Sequence, residues 1–328
     1  MKERMLTGIK PTGNSITLGN YIGGLLPLIE YQNDYELFLF IADLHALTVY
    51  TKGANLQENI NNLIATYLAV GIDPNKTTIF KQSDIRAHNQ LEWILTCTTE
   101  VPELLKMPQY KKFAEKTSSA TPAGMLLYPS LMNADILLYN PDFVPVGIDQ
   151  KPHVDLCHNV ANRFNKRYGE TFKMPKPLVP KTGAKIMSLT DPTKKMSKSE
   201  SDAGTIYLLE PVDIIRKKIM KAITDSENKV YYNPEQKPGI SNLMTIYSCL
   251  TNLTFDEIEA NYEGAQNYGV FKKDLADILC SKIAEIQAKI DKIKQLNIIP
   301  AVLTDGANKA KFEADMMIKK VYEKVGLI

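Results

Sequence analysis

Cysteine is scarce and scattered. Cys97, Cys157, Cys249 and Cys280 are the whole complement of four in 328 residues, and no two form C-x-x-C. That gives no disulfide framework and fits a reduced compartment. Long apolar runs are missing too, since none reaches the ~18 residues of a membrane helix. The opening "MKERMLTGIK" has no apolar h-region, so the expectation is a cytoplasmic protein without a secretory signal. Charge of one sign is lacking: 39 Lys and Arg against 37 Asp and Glu leave a net +2. Any nucleic-acid surface must therefore be a local patch. There is no G-x-S-x-G, no G-x-x-x-x-G-K-[ST] and no G-x-G-x-x-G, which sets aside the nucleophile-elbow hydrolases and two common phosphate loops. No internal repeat or low-complexity segment is visible.

What is present is ordinary globular composition, 44% hydrophobic, long enough for about two domains. "RMLTGI" (4–9), "ELFLFIAD" (36–43), "TTIFKQS" (77–83) and "DFVPVG" (142–147) read as strands. Residues 20–28, 55–71, 86–106, 130–140 and 149–168 read as helices. Asn55 and Glu58 suggest a capping box and Gly71 a C-terminal cap. Alternating strands and helices predict an α/β fold, a doubly wound parallel sheet of Rossmann-like type. Its ligands bind at the carboxyl ends of the strands. Past residue 190 the pattern turns helical: Pro211 reads as the first residue of a helix, and 240–251, 271–297 and 305–326 follow. The expected division is 1–190 and 191–328, the last helix able to return to the first unit.

Two motifs stand out. "TGIKPTGNSITLGNYIGG" (7–24) holds five of the 17 glycines. It follows a strand and precedes a helix, where bare backbone N–H groups can meet phosphate. By itself it fits a structural turn equally well. "DPTKKMSKSESDAG" (191–204) fits a solvated loop, but its K-M-S-K-S (195–199) matches the mobile ATP loop of class I aminoacyl-tRNA synthetases. Ammonium groups on such a loop can close over a triphosphate.

The phrases "GIKPTG…TLGNYIG", "LLYPSLMNADILLYNPDFVPVGIDQKPH" (126–153), "GAKIMSLTDPTKKMSKS" (183–199) and "KPGISNL" (237–243) resemble the bacterial tryptophanyl-tRNA synthetases of that class. The resemblance runs from about residue 6 to residue 325, in order. It implies activation of L-tryptophan by ATP with Mg²⁺ on the phosphates, transfer to a tRNA, a helical anticodon-binding domain, and a homodimer. It places Lys10, Pro11, Thr12, Gly19 and Asn20 along the ATP. Gly147, Ile148 and Asp149 approach the ribose, and Ile186 the adenine. Lys195, Met196, Ser197, Lys198 and Ser199 cover the phosphates. Thr17 and Asn20 stand at the two histidines of the H-I-G-H-like motif, as uncharged donors with a catalytic role beside Lys195 and Lys198. Asp135 reads the indole N–H, with Met132, Tyr128, Val144, Val146, His45 and Gln150 around the amino acid. The family pattern usually has glutamine where Lys10 stands. A lysine there can hold a carboxylate or phosphate, or turn outward.

Bland readings stand beside these. Asp135 can cap a helix or face solvent. His153, Cys157 and His158 lack a fourth ligand at a metal-site spacing and are expected to pack. Trp93, the single tryptophan, is expected in the core. The basic run "RKKIMKAITD" (216–225) fits a solvated helix face or a tRNA contact. The tyrosine-specific sister enzyme and a non-catalytic tRNA-binding paralogue are the rival functions; the strings around Asp135 oppose the first, and the intact loop lysines oppose both.

Overall fold

Alternation along two apolar segments sets the layering. In β1 (Arg4–Ile9) and β2 (Glu36–Ile41) successive side chains point to opposite faces. Met5, Leu37, Leu39 and Ile41 enter one core, and Leu6, Phe38 and Phe40 the other. A sheet covered on both faces explains the near-continuous apolar run of β2. The computed structural model describes residues 2–13, 15–48, 55–116, 121–147, 151–178, 185–196, 203–264 and 267–328. Within them, β1 and β2 join β3 (Thr77–Lys81), β4 (Phe143–Pro145) and β5 (Lys176–Leu178) in one parallel sheet, ordered β3-β2-β1-β4-β5. The order reverses between β1 and β4. In a doubly wound sheet that is where the ligand crevice opens, at the carboxyl ends of the strands.

From β1 the chain runs through α1 (Leu18–Asn20), a π-helical turn (Tyr21–Leu25) and α2 (Leu26–Asp34) to β2. Then come α3 (Asp43–Ala46) and α4 (Leu56–Val70) before β3. α5 (Ala87–Thr96), α6 (Val101–Leu105), α7 (Pro108–Lys116) and α8 (Ala123–Leu137) lead to β4, and α9 (Lys151–Tyr168) leads to β5. The helical remainder is α10 (Val212–Met220), α11 (Pro238–Thr251), α12 (Phe255–Asn261), α13 (Tyr268–Gln295) and α14 (Ile299–Val325). One face of the sheet packs on α2, α4 and, through them, on α10 to α13; the other packs on α5, α8, α9 and α14.

The caps of α4 hold at both ends, although the expected box does not close, because Glu58 takes the Asn55 side-chain amide at 3.4 Å instead of its backbone N–H. Asn55 Oδ1 accepts the Glu58 N–H at 3.1 Å, and Gly71 closes the helix at φ +114°. Other expectations need correction. The helix expected over 86–106 is two, α5 and α6. Thr98 and Thr99 hydroxyls donate to the Leu95 carbonyl and end α5, and a Glu100–Glu103 capping box with Pro102 restarts the chain as α6. Trp93 is not in the core but 69% exposed, because α5 buries Ala87, His88, Leu91 and Leu95 and turns Trp93 outward. Pro211 is the N-cap of α10 rather than its first residue. α8 starts at Ala123 and runs through Pro129, well before the expected residue 130.

α14 starts at Ile299, earlier than the expected residue 305, and lies on the sheet. Ala310, Ala314, Met317, Ile318 and Val321 join the core containing Phe38 and Phe80. Gly306 sits against the β3 backbone so closely that a Cβ there would collide with the Ile79 carbonyl. Arg4 reaches Glu313 at 2.9 Å, and Lys320 Nζ donates to the Thr171 carbonyl at 3.0 Å.

Candidate active site

Between the ends of β1 and β4 opens a cavity of about 280 Å³, near the lower end of the ~300–1,000 Å³ of small-ligand sites. β1 brings Gly8 and Lys10, β4 brings Val144 and Val146 and leads to Gly147, and α8 brings Tyr128, Met132 and Asp135. The α8 residues are four and three apart, so they share one face. Gly8 is needed for close approach, since a Cβ there would strike the Phe40 ring that walls the cavity.

Asp135 is 1% exposed and stands near the C-terminal end of α8. Its Oδ2 faces His45 Nε2 at 2.8 Å, and its Oδ1 takes Gln82 Nε2 at 2.7 Å and His88 Nδ1 at 2.6 Å. Burial pushes the Asp135 carboxyl upward, but the hydrogen bonds from His45 and His88 outweigh it and hold the group down at about 2. Asp135 is therefore ionised and accepts only. That fixes the proton on Nε2 of His45 and on Nδ1 of His88, so the Tyr139 hydroxyl donates to His88 Nε2 at 2.9 Å. A carboxylate offers about four acceptor positions. Three are filled, which leaves one for a ligand in the cavity that Asp135 lines.

Gln82, His88 and Tyr139 are site residues that the sequence reading missed. Gln82 follows β3, and its Oε1 accepts the N–H groups of Leu44 and His45 at 3.1 and 3.3 Å. It thereby ties α3, just past β2, to Asp135. The signal available was position: Gln82 stands just past the carboxyl end of a strand.

At the other end, Tyr128 is hydrogen-bonded to His153 Nε2 at 2.6 Å, and burial pushes its hydroxyl well above the usual range. Lys10 Nζ lies 5.7 Å from the Tyr128 ring centroid, and burial lowers its ammonium below the ordinary lysine value. His153, Cys157 and His158 go separate ways: His153 to Tyr128, Cys157 into the core, His158 to the Pro175 carbonyl.

The two signature motifs meet. Thr17 is buried and caps α1: its Oγ1 accepts the Asn20 N–H at 3.1 Å and donates to Asn20 Oδ1 at 2.7 Å. Its hydroxyl thus orients Asn20, whose side-chain amide N–H groups stay available at the exposed end. Around Gly19, an added Cβ would lie 3.5 Å from the Met196 carbonyl oxygen and 3.6 Å from Ile186 Cβ. Met196 N–H donates to the Ile186 carbonyl at 2.9 Å, and Lys195 pairs with Met187. Asn242, in the "KPGISNL" segment, bonds both backbone groups of Met187, at 2.8 and 3.0 Å. So the helical region holds the base of the lysine loop. Ile148, Asp149, Gln150, Ser197, Lys198 and Ser199 lie outside the described residues.

The basic run at 216–225 is less free than its sequence suggests. Arg216 pairs with Asp277 at 2.6 Å, Lys217 with Asp213 at 3.5 Å and Lys218 with Glu210 at 2.5 Å. Among the described residues no helix is long and apolar enough to cross a membrane.

A phosphate-compatible glycine turn meeting a K-M loop, over a doubly wound sheet with a ring-sized crevice, defines a class I aminoacyl-tRNA synthetase. The family model described as "tRNA synthetases class I (W and Y)" matches residues 2–281. The tryptophan–tRNA ligase of Bacillus subtilis (strain 168) is 46% identical over 328 residues, covering 100% of this chain and 98% of its own. That of Ureaplasma parvum is 52% identical over 297 residues, 88% of each chain. The chain belongs to the tryptophan–tRNA ligase family. Among solved structures, the tryptophanyl-tRNA synthetase of Mycoplasma pneumoniae superposes with a TM-score of 0.90 at 35% identity, covering 99% of this chain and 98% of that one. That of Campylobacter jejuni, complexed with ADP and tryptophan, gives 0.85 at 31%, covering 98% and 99%.

Proposed function

We propose that this chain charges tRNA with L-tryptophan in two steps. The observation that carries the reading is the cavity itself: apolar walls with one ionised, hydrogen-bonded acceptor, Asp135, at the inner end. Tryptophan presents a large apolar ring with a single N–H donor. Met132, Val144 and Val146 form the walls, and His45 and Tyr128 stand beside them; Gln150 contacts the polar end of the amino acid.

ATP lies along Pro11, Thr12, Gly19 and Asn20, with Gly147, Ile148 and Asp149 toward the ribose and Ile186 toward the adenine. The tryptophan carboxylate attacks the α-phosphate and pyrophosphate leaves. The terminal ribose hydroxyl of the tRNA then takes the acyl group. Lys195 and Lys198, with Met196, Ser197 and Ser199 around them, close over the phosphates and stabilise the charge on the leaving pyrophosphate. Asn20, held by Thr17, adds a neutral donor. Mg²⁺ on the ATP phosphates supplies further charge neutralisation. Residues 1–190, with the 195–199 loop that opens the second unit of 191–328, do this chemistry, and the helices of that second unit read the anticodon, with α14 docked back on the sheet. Lys221 is the cation of the 216–225 run left for a phosphate, as it has no acidic partner among the described residues. The enzyme works in the cytoplasm as a homodimer. Trp93 on α5 and Val101 and Leu105 on α6, all exposed apolar side chains on consecutive helices, support such an interface.

Amino-acid-dependent exchange of pyrophosphate into ATP tests the reading. Tryptophan should drive exchange and tyrosine should not. Exchange driven by tyrosine would select the sister specificity, and no exchange with either would select a non-catalytic tRNA binder.

A further inference from the structure

Lys10 is the one lysine or arginine among the described residues lining the cavity. It follows β1 at the carboxyl end of the strand, beside the switch point. Its Nζ is poised over the Tyr128 ring, 5.7 Å from the centroid. The ring is itself held through its hydroxyl by His153. Among the described residues no carboxylate pairs with the ammonium, and burial lowers its pKa. A cation kept in a half-closed site without a counter-ion awaits an anion from outside.

The spacing says which anion. Tyr128 and Asp135 lie seven positions apart on one face of α8, roughly 10 Å along the helix at ~1.5 Å per residue. One cavity thus carries an ionised acceptor and a cation beside the Tyr128 ring, with His45, which reaches Asp135 at 2.8 Å and lies 6.4 Å from that ring, and apolar walls between them. A ring bearing a donor N–H, joined to a short tail ending in a carboxylate, spans that arrangement. Pro11 and Gly13, just beyond Lys10, line a separate small recess with Ser15 and Asn59.

We infer that the Lys10 ammonium binds the carboxylate of the amino-acid substrate and acts as a catalytic residue that brings this anion against the α-phosphate of ATP. The inference rests on the reading of the cavity as an amino-acid site. In the activation step a carboxylate oxygen forms a bond to the α-phosphorus. The bond from that phosphorus to the bridging oxygen breaks, and pyrophosphate leaves with the electron pair. Two anions must approach, and repulsion opposes them in a site of low dielectric. A shared cation offsets part of that repulsion, most as the two anions close to bonding distance. A glutamine can donate a hydrogen bond to the same carboxylate but brings no charge.

The test compares tryptophan with tryptamine, which lacks the carboxylate, by calorimetric titration of the full chain without ATP. Lys10→Met should weaken tryptophan binding by about 10- to 150-fold, the range for losing a hydrogen bond to a charged group, and Lys10→Gln, which keeps a neutral donor, should weaken it less. Tryptamine binding should hold within a few-fold, which also shows that the pocket stays folded. Lys10→Arg should keep most of the preference for tryptophan. An unchanged tryptophan-to-tryptamine ratio in Lys10→Met overturns the inference, as does an equal loss of both ligands. Weakened ATP binding with an intact ratio also overturns it, by assigning Lys10 to phosphate. Tryptophan-dependent pyrophosphate exchange by the parent is scored separately. Its absence would sink the activity reading and leave the binding result for Lys10 standing.

Discussion

Asp135 meets its ligand already carrying three donors. Each of them holds the carboxylate in place and in its ionised form, so a fourth donor binds a preorganised acceptor with no protonation step. Replacing Asp135 by alanine removes that acceptor and strands His45, Gln82 and His88 around a void. A hydrogen bond to a charged group is worth roughly 1.5–3 kcal/mol, so kcat/KM for tryptophan should fall by about 10- to 150-fold. An analogue with sulfur in place of the ring N–H isolates the contact. The parent should discriminate strongly against it, because binding it leaves the carboxylate short of a partner, and the alanine variant should discriminate far less. Equal preferences in the two proteins would move the specificity contact elsewhere in the cavity. The same carboxyl has a pH signature. Its folded pKa is depressed from 3.8 to about 2, so its contribution to stability is complete above the unfolded value and is lost as pH falls from there through about 2. Melting temperatures recorded across that acid window should therefore decline less steeply in Asp135→Asn than in the parent. Parallel curves would show that the group titrates alike in both states.

Among the elements, those that announce themselves locally were legible. β2 reads from an apolar run, and α4 from Asn55, Glu58 and Gly71, because the forces that shape them act within a few residues. β5 was missed: Lys176–Leu178 is three residues with a proline and is a strand only because β4 lies beside it. Trp93 was misread because residue type was weighed above the periodicity of α5. Asp135, His45 and Tyr128, named through family resemblance, do line one cavity, whereas the meeting of His88 and Gln82 with Asp135 depends on long-range juxtaposition that no local pattern encodes. The early start of α14 was likewise hidden, although its return to the sheet was foreseen as an option. Its fit can be tested at Gly306. Alanine there would collide with the β3 backbone at Ile79, and overpacking of this kind costs about 1–3 kcal/mol. The melting temperature should fall by roughly 1–4 °C, with tryptophan-dependent exchange at 25 °C retained. An unchanged melting temperature would mean that the helix stands off the strand.

At the scale of the molecule, exposed Trp93 belongs to the same helix as buried His88. Sedimentation at micromolar concentration should give about twice the 36.8 kDa chain mass for the parent, and the single-chain mass for Trp93→Glu, since a buried unpaired carboxylate breaks an apolar interface. A variant that stays dimeric would place the interface elsewhere. The return of α14 onto β3 has its own consequence, one of timing. Ribosomes release a chain from the amino end, and early segments fold as they emerge. Here the sheet emerges well before the helix that covers Phe38 and Phe80 on its outer face. Until α14 arrives, the part of that face left open by α5, α8 and α9 stays exposed. A message cut short, or a ribosome that stalls before the last helix, yields a polypeptide with its apolar sheet on display to the proteases that clear unfinished products. The cover of the sheet thus depends on translation reaching α14, in an enzyme on which translation depends.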